Sequence, residues 1–137
     1  MPRPRARDSE VHAYVFIKST LRQLDWDVRN PERAPSGQVW TQNECLHNPE
    51  IKRCLGLDKP ENIVKVTERA LWVIEAKRSH AQLEQALREA EDYAGSFKDS
   101  GQYEARFISG VAGSEIDSFL IRTKYFTSTS MGSNLCL

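Results

Sequence analysis

The sequence predicts an α/β (α+β) fold, with a central mixed β-sheet flanked by helices. Three observations lead there. Apolar residues recur at helical spacing from Ser9 to Leu24. Two strand-like runs, Asn62 to Thr67 and Leu71 to Ile74, stand close enough to form a hairpin. A second amphipathic helical segment follows Ser79, and two further strand-like runs come after it.

Taken in order, residues 1–8 (MPRPRARD) are rich in Pro and Arg and carry no periodicity, so a flexible arm is expected there. Such an arm is either a solvated tail or a phosphate-touching segment. Val11, Tyr14, Val15, Leu21 and Leu24 then fall at steps of three and four, with Lys18 in the same register. Ser9 is the expected N-cap, and Glu10 in the first turn suits the positive end of the helix. Asp25 to Val28 reads as a short strand or turn, and Pro31, Pro35 and Gly37 mark a loop. Val39-Trp40 begins a short strand. Pro49 to Leu55 has the form of one or two helical turns closed by Gly56.

Pro60 opens the most informative segment. Asn62 to Thr67 is rich in β-branched residues, and Thr67 to Ala70 is a connection short enough for a hairpin. Leu71 to Ile74 is the most apolar run and is expected to be a buried central strand. It leads directly into Glu75-Ala76-Lys77. Ser79 and Gln82 fit an S-x-x-Q capping box, starting a helix to about Phe97 with Leu83, Ala86, Leu87, Ala90 and Ala94 on its apolar face. Strands are expected at about 104–111 and 119–126. The folded domain is thus expected at 9–126, with a flexible tail at 127–137.

Length and composition bound the function. A chain of 137 residues is about one domain, and 39% hydrophobic against 28% charged residues is a globular balance. Lys and Arg number 19, as do Asp and Glu, which argues against a polycation that coats DNA. A balanced chain can still act on DNA, because catalytic carboxylates offset a basic face. No apolar run approaches the roughly 20 residues that cross a bilayer, and MPRPRAR is not followed by a secretory apolar stretch. Three cysteines, Cys45, Cys54 and Cys136, do not make a disulfide framework, so a cytoplasmic protein without a membrane partner is expected.

The chemistry concentrates at the end of the apolar strand. Side chains on a strand alternate between faces, so Glu75 and Lys77 share one face and Trp72, Ile74 and Ala76 the other. If the two strands pair as a hairpin, Glu61 lies beside Glu75 despite thirteen intervening residues. Two carboxylates and the carbonyl of Ala76 are hard oxygen donors of the kind Mg²⁺ takes, and Mn²⁺ can substitute. A cation there would polarise a phosphate oxygen and lower the pKa of a bound water, while Lys77 orients that water or stabilises developing charge. The reaction implied is metal-assisted phosphodiester hydrolysis.

Pro60-Glu61 followed by Glu75-Ala76-Lys77 resembles the PD-(D/E)xK nuclease motif. The stretch PENIVKVTERALWVIEAKRSHAQLEQALREAEDYA is similar to the N-terminal nuclease region of type I restriction R subunits, and of enzymes that fuse a nuclease to an N6-adenine DNA methyltransferase. The resemblance covers about residues 9–126 and is strongest from 59 to 94. It implies a restriction-endonuclease-like domain that cuts double-stranded DNA with Mg²⁺, working with methyltransferase, specificity or motor subunits or domains. It also implies that Glu10 on the first helix joins the metal site. Arg78, His80, Gln85 and Tyr93 are the further candidates for touching DNA. Two departures stand out. Glu61 replaces the usual Asp, and the Gln-x-x-x-Tyr motif of R subunits is met here by Glu89 before Tyr93, with Gln85 one turn earlier on the same stripe.

Blander readings exist for each residue. Glu75 and Lys77 would form an ordinary ion pair at a strand end, and Glu50-Ile51-Lys52 meets the same triplet pattern without an apolar strand before it. Cys45, His47 and Cys54 have no usual zinc spacing. His80 would be a solvated residue at a helix start. The chain carries no Gly-rich phosphate loop, nucleophile elbow, HExxH, methyltransferase or helicase motif. The alternative function is therefore a non-catalytic nuclease-fold module that binds DNA or a restriction or methyltransferase partner subunit.

Overall fold

The computed structural model describes residues 6–42, 44, 48, 49, 51, 52, 60–98, 103–114 and 116–126, with the backbone alone for 6–12 and Lys98. Helix α1 spans Ala6–Gln23. It begins three residues before the expected Ser9 cap, so Ser9 and Glu10 lie within the helix. Ala and Arg are strong helix formers, and an Asp at the third position favours the positive end, so the segment expected as an arm contributes its last residues to the helix. The N–H of Trp26 closes the C-terminus on the carbonyl of Leu21 at 3.0 Å, and Asp25 takes φ 73° to make the turn. Residues 25–28 are accordingly a turn and extended chain with no sheet partner. The following loop is tied by Asp27, whose carboxylate accepts from the Arg29 guanidinium at 2.8 and 2.6 Å and from Ser36 at 2.9 Å.

The strands are β1 (Val39–Thr41), β2 (Asn62–Lys65), β3 (Ala70–Lys77), β4 (Glu104–Ser114) and β5 (Ser118–Tyr125). They form one sheet in the order β1-β2-β3-β4-β5. Only β3 and β4 are parallel; the other neighbours are antiparallel. Helix α2 (Leu83–Lys98) makes the crossover that a parallel pair requires. A 3-10 turn, His80–Gln82, precedes it. The expected capping box takes a different form. Ser79 Oγ accepts from the N–H of Ala81 at 3.3 Å and so caps the 3-10 turn, and the α-helix proper starts at Leu83.

One helix covers each face of the sheet. Ile17 and Leu21 of α1 pack on Val39, Val64, Ile74 and Val111, joined by Trp72, Ala76 and Phe119. Leu87, Ala90, Ala94 and Phe97 of α2 pack on Trp40, Ile63, Leu71, Val73, Ala105 and Ile108. Burying each large apolar side chain stabilises the fold by about 1.5–3 kcal/mol. The approach of α2 is set by Gly110 on β4: a Cβ there would lie 2.8 Å from the backbone N of Leu87 and 3.1 Å from the carbonyl O of Leu83. The helix backbone therefore rests directly on the sheet. The structure is an α+β fold with a five-stranded mixed sheet and a helix on each side. Among the described residues no helix is long and apolar enough to cross a membrane.

Candidate acidic site at the end of β3

The hairpin between β2 and β3 pairs Ile63 with Val73 and Asn62 with Ile74, so Glu61 falls opposite Glu75. Strand β3 continues past this last paired step through Glu75, Ala76 and Lys77, still held by β4 at Gly110, Val111 and Ala112. Two-residue alternation puts Glu61, Ile63, Leu71, Val73, Glu75 and Lys77 on the face that α2 covers. The apolar members of that set are core. The charged members emerge where the core ends.

Glu61 and Glu75 are both buried, at 6% and 7% exposure. The backbone N–H of Glu61 donates to Oε1 of Glu75 at 3.0 Å, and that of Ala76 donates to the same oxygen at 3.3 Å. Burial nevertheless pushes the Glu75 carboxyl up to about 8, and the neighbouring charges of Glu61 and Glu89 add to the rise; the two backbone hydrogen bonds oppose it. Lys77 Nζ pairs with Glu89 Oε1 of α2 at 2.9 Å. Gln85 Nε2 donates to Glu89 Oε2 at 3.0 Å. Burial raises the Glu89 carboxyl, but hydrogen bonds from Lys77 and Gln85, the Lys77 charge and a hydrogen bond with Glu75 outweigh it and hold it low.

The residues singled out from the sequence thus divide. Glu61, Glu75 and Lys77 come together at one sheet end, with Ala76 between the last two. Gln85 reaches the cluster through Glu89. Tyr93 is half-buried against the α2-side core, and with Glu89, Asp92 and Ser96 it lines a groove on the helix. Arg78 is exposed just beyond β3. His80 turns toward β5, with Nε2 3.0 Å from the carbonyl O of Ser118. Glu10 lies in α1, and its side chain is outside the described residues, as are Cys45, His47, Cys54 and Glu50. Glu89 is the member that motif matching did not single out as functional; the i, i+4 stripe of Gln85, Glu89 and Tyr93 was the signal for it.

The donor set is oxygen-rich. Glu61 and Glu75 offer carboxylates, and the Ala76 carbonyl belongs to the same rim. Among the described residues no group of three or more His, Cys, Asp and Glu has the arrangement of a protein-built metal cage. A pair of carboxylates suits Mg²⁺, which binds through one or two carboxylates and keeps several waters. Burial and the charges of Glu61 and Glu89, which raise the Glu75 carboxyl, are forces that a bound cation would offset. The chain matches no family model, no curated protein and no solved structure.

Proposed function

We propose that this chain is a Mg²⁺-dependent DNA endonuclease module of a restriction–modification system, hydrolysing phosphodiester bonds in double-stranded DNA in the cytoplasm. The observation that carries the reading is the convergence of Glu61, Glu75 and Lys77 where β3 outruns β2. The mixed sheet flanked by helices agrees with the resemblance to PD-(D/E)xK nucleases. In this reading Glu61, Glu75 and the Ala76 carbonyl would hold Mg²⁺ or Mn²⁺. When bound, such an ion polarises a phosphate oxygen and lowers the pKa of a coordinated water. Lys77 donates hydrogen bonds from its ammonium to the water or to the oxygen that gains charge. Arg78, on the exposed side of the same strand end, is suited to a neighbouring phosphate. Methyltransferase, specificity or motor subunits would supply target choice.

Nicking of supercoiled plasmid in Mg²⁺ or Mn²⁺ tests this. Cleavage is expected from the wild type, and loss of at least about a hundredfold from Lys77→Ala and Glu75→Ala, the scale of a group that stabilises transition-state charge. A wild type that binds DNA at high concentration and cuts nothing in Mn²⁺ overturns it.

One observation favours a second reading. Below about pH 8 the buried Glu75 keeps its proton, and a protonated carboxyl is a poor ligand for a cation. A non-catalytic module that docks on a restriction or methyltransferase partner subunit has no need of a cation there. Calorimetric titration with Mn²⁺ separates the two: heats that vanish in Glu61→Ala and Glu75→Ala support the metal site.

A further inference from the structure

We infer that Glu89 is the residue that positions Lys77, and that Gln85 holds Glu89 in place for that task. The inference rests on the nuclease reading of the β3 rim and adds to it a residue from the opposite layer of the fold. Lysine has a flexible four-carbon stem, so an ammonium at a sheet end has no fixed place unless something grips it. Here the grip is visible. Lys77 Nζ stands 2.9 Å from Glu89 Oε1, with both side chains largely sheltered, at 25% and 33% exposure. The other oxygen of Glu89 is held by Gln85 Nε2 at 3.0 Å, one helical turn back. Glu89 is therefore fixed through both oxygens, one to its own helix and one to β3. Helix α2 is in turn fixed against the sheet at Gly110, where backbone meets backbone. Gln85, Glu89 and Lys77 form a strut from α2 to the rim.

A lone lysine at this point would swing into solvent and away from the rim. With Glu89 as its partner, Lys77 stays beside Glu75 and off its carboxylate. Glu89 touches neither substrate nor cation in this scheme, so it acts through Lys77.

The test uses the full chain as wild type, Glu89→Ala, Glu89→Gln and Gln85→Ala, each first shown to melt cooperatively. The first measurement is the rate at which an acetylating reagent modifies Lys77, read by peptide mass spectrometry with Lys65 and Lys124 as internal references. Lys77 is expected to react at least threefold faster in Glu89→Ala, about twofold faster in Gln85→Ala and near the wild-type rate in Glu89→Gln, which keeps an oxygen acceptor. The second measurement is plasmid nicking in Mn²⁺. Glu89→Ala is expected to lower kcat at least tenfold with KM for DNA and the half-saturating Mn²⁺ concentration unchanged within threefold, and Glu89→Gln to recover most of the loss. Unchanged Lys77 labelling in a folded Glu89→Ala protein overturns the inference. So does a tenfold rise in half-saturating Mn²⁺, which would make Glu89 a ligand. A wild type that cuts nothing, with the labelling pattern as expected, refutes the nuclease reading and leaves the strut standing.

Discussion

Oε1 of Glu75 accepts two backbone N–H groups, and one of them, at 3.0 Å, comes from Glu61 on the neighbouring strand. The hydrogen bond fixes one carboxyl oxygen, and the charges of Glu61 and Glu89 push the Glu75 carboxyl in the direction that burial already drives it.

Stability should therefore depend on pH in a specific direction. A carboxyl held at about 8 in the fold and at its ordinary value when unfolded binds its proton more tightly in the folded state. Its stabilising contribution is full below about pH 4.5 and is lost as pH rises to 8. The metal-free protein is expected to lose a few kcal/mol between pH 5 and pH 8.5, an order-of-magnitude figure from the linkage relation. Glu75→Gln should flatten that loss in urea denaturation. Equal slopes in the two proteins would contradict the assignment. Millimolar Mn²⁺ should stabilise the wild type more at pH 8 than at pH 6, because a cation favours the charged acid.

Binding and cleavage should separate between Glu75 and Lys77. Lys77→Ala removes a positive charge beside the acids, so Mn²⁺ binding by calorimetry is expected to stay or to tighten while nicking disappears. Glu75→Ala is expected to lose both. A Lys77→Ala protein that no longer binds Mn²⁺ would show that the lysine supports the fold of the site more than its chemistry.

The β2–β3 hairpin was the most legible part of the fold, and the reason is physical. Leu71 to Ile74 is apolar because the strand is covered on both faces, and the exposed Thr67–Arg69 turn sets where β2 ends and β3 begins, with Lys65 opposite Leu71. Register then follows from the pairing, and the meeting of Glu61 with Glu75 needs nothing further. Three features resisted. The start of α1 was hidden because Pro and Arg near the N-terminus read as an arm, while Ala6 and Arg7 are favourable in a helix. Ser79 carried a cap signal, but the capped element is the short 3-10 turn, a difference of one hydrogen bond that no spacing rule separates. Glu89 was visible on its stripe. That its carboxylate meets Lys77 depends on how closely α2 lies on β4, and this is set by Gly110 in a strand read later in the chain.

Gly110→Val should push α2 from the sheet, since the new side chain would meet backbone atoms of Leu87 and Leu83 that cannot rotate away. Overpacking of this kind costs about 1–3 kcal/mol. Urea denaturation is expected to show that loss, and acetylation of Lys77 should quicken as Glu89 withdraws. Wild-type values for both would mean that the helix is not seated on this glycine.

Asn62 offers an independent check of the interior. It is fully buried, its Nδ2 reaches the carbonyl of Trp40 only at 3.5 Å, and among the described residues its Oδ1 has no partner. An unmet buried acceptor costs about 1–3 kcal/mol. Asn62→Leu, similar in volume, is expected to leave stability unchanged or raise it by about 1 kcal/mol in denaturant titration. A clear loss of stability would point to a partner that the amide satisfies.

The outer strand β5 has a consequence of its own. It ends the sheet order, and Ile121 and Tyr125 lie open at 49% and 78% exposure on an edge that could template addition of a further strand. Arg122 and Lys124 alternate with those residues and are tethered sideways to Glu84 and Glu91 of α2. A second molecule arriving edge-on would have to desolvate those ion pairs. Exchanging both cations for apolar residues removes that cost, so such a variant should self-associate where the wild type does not.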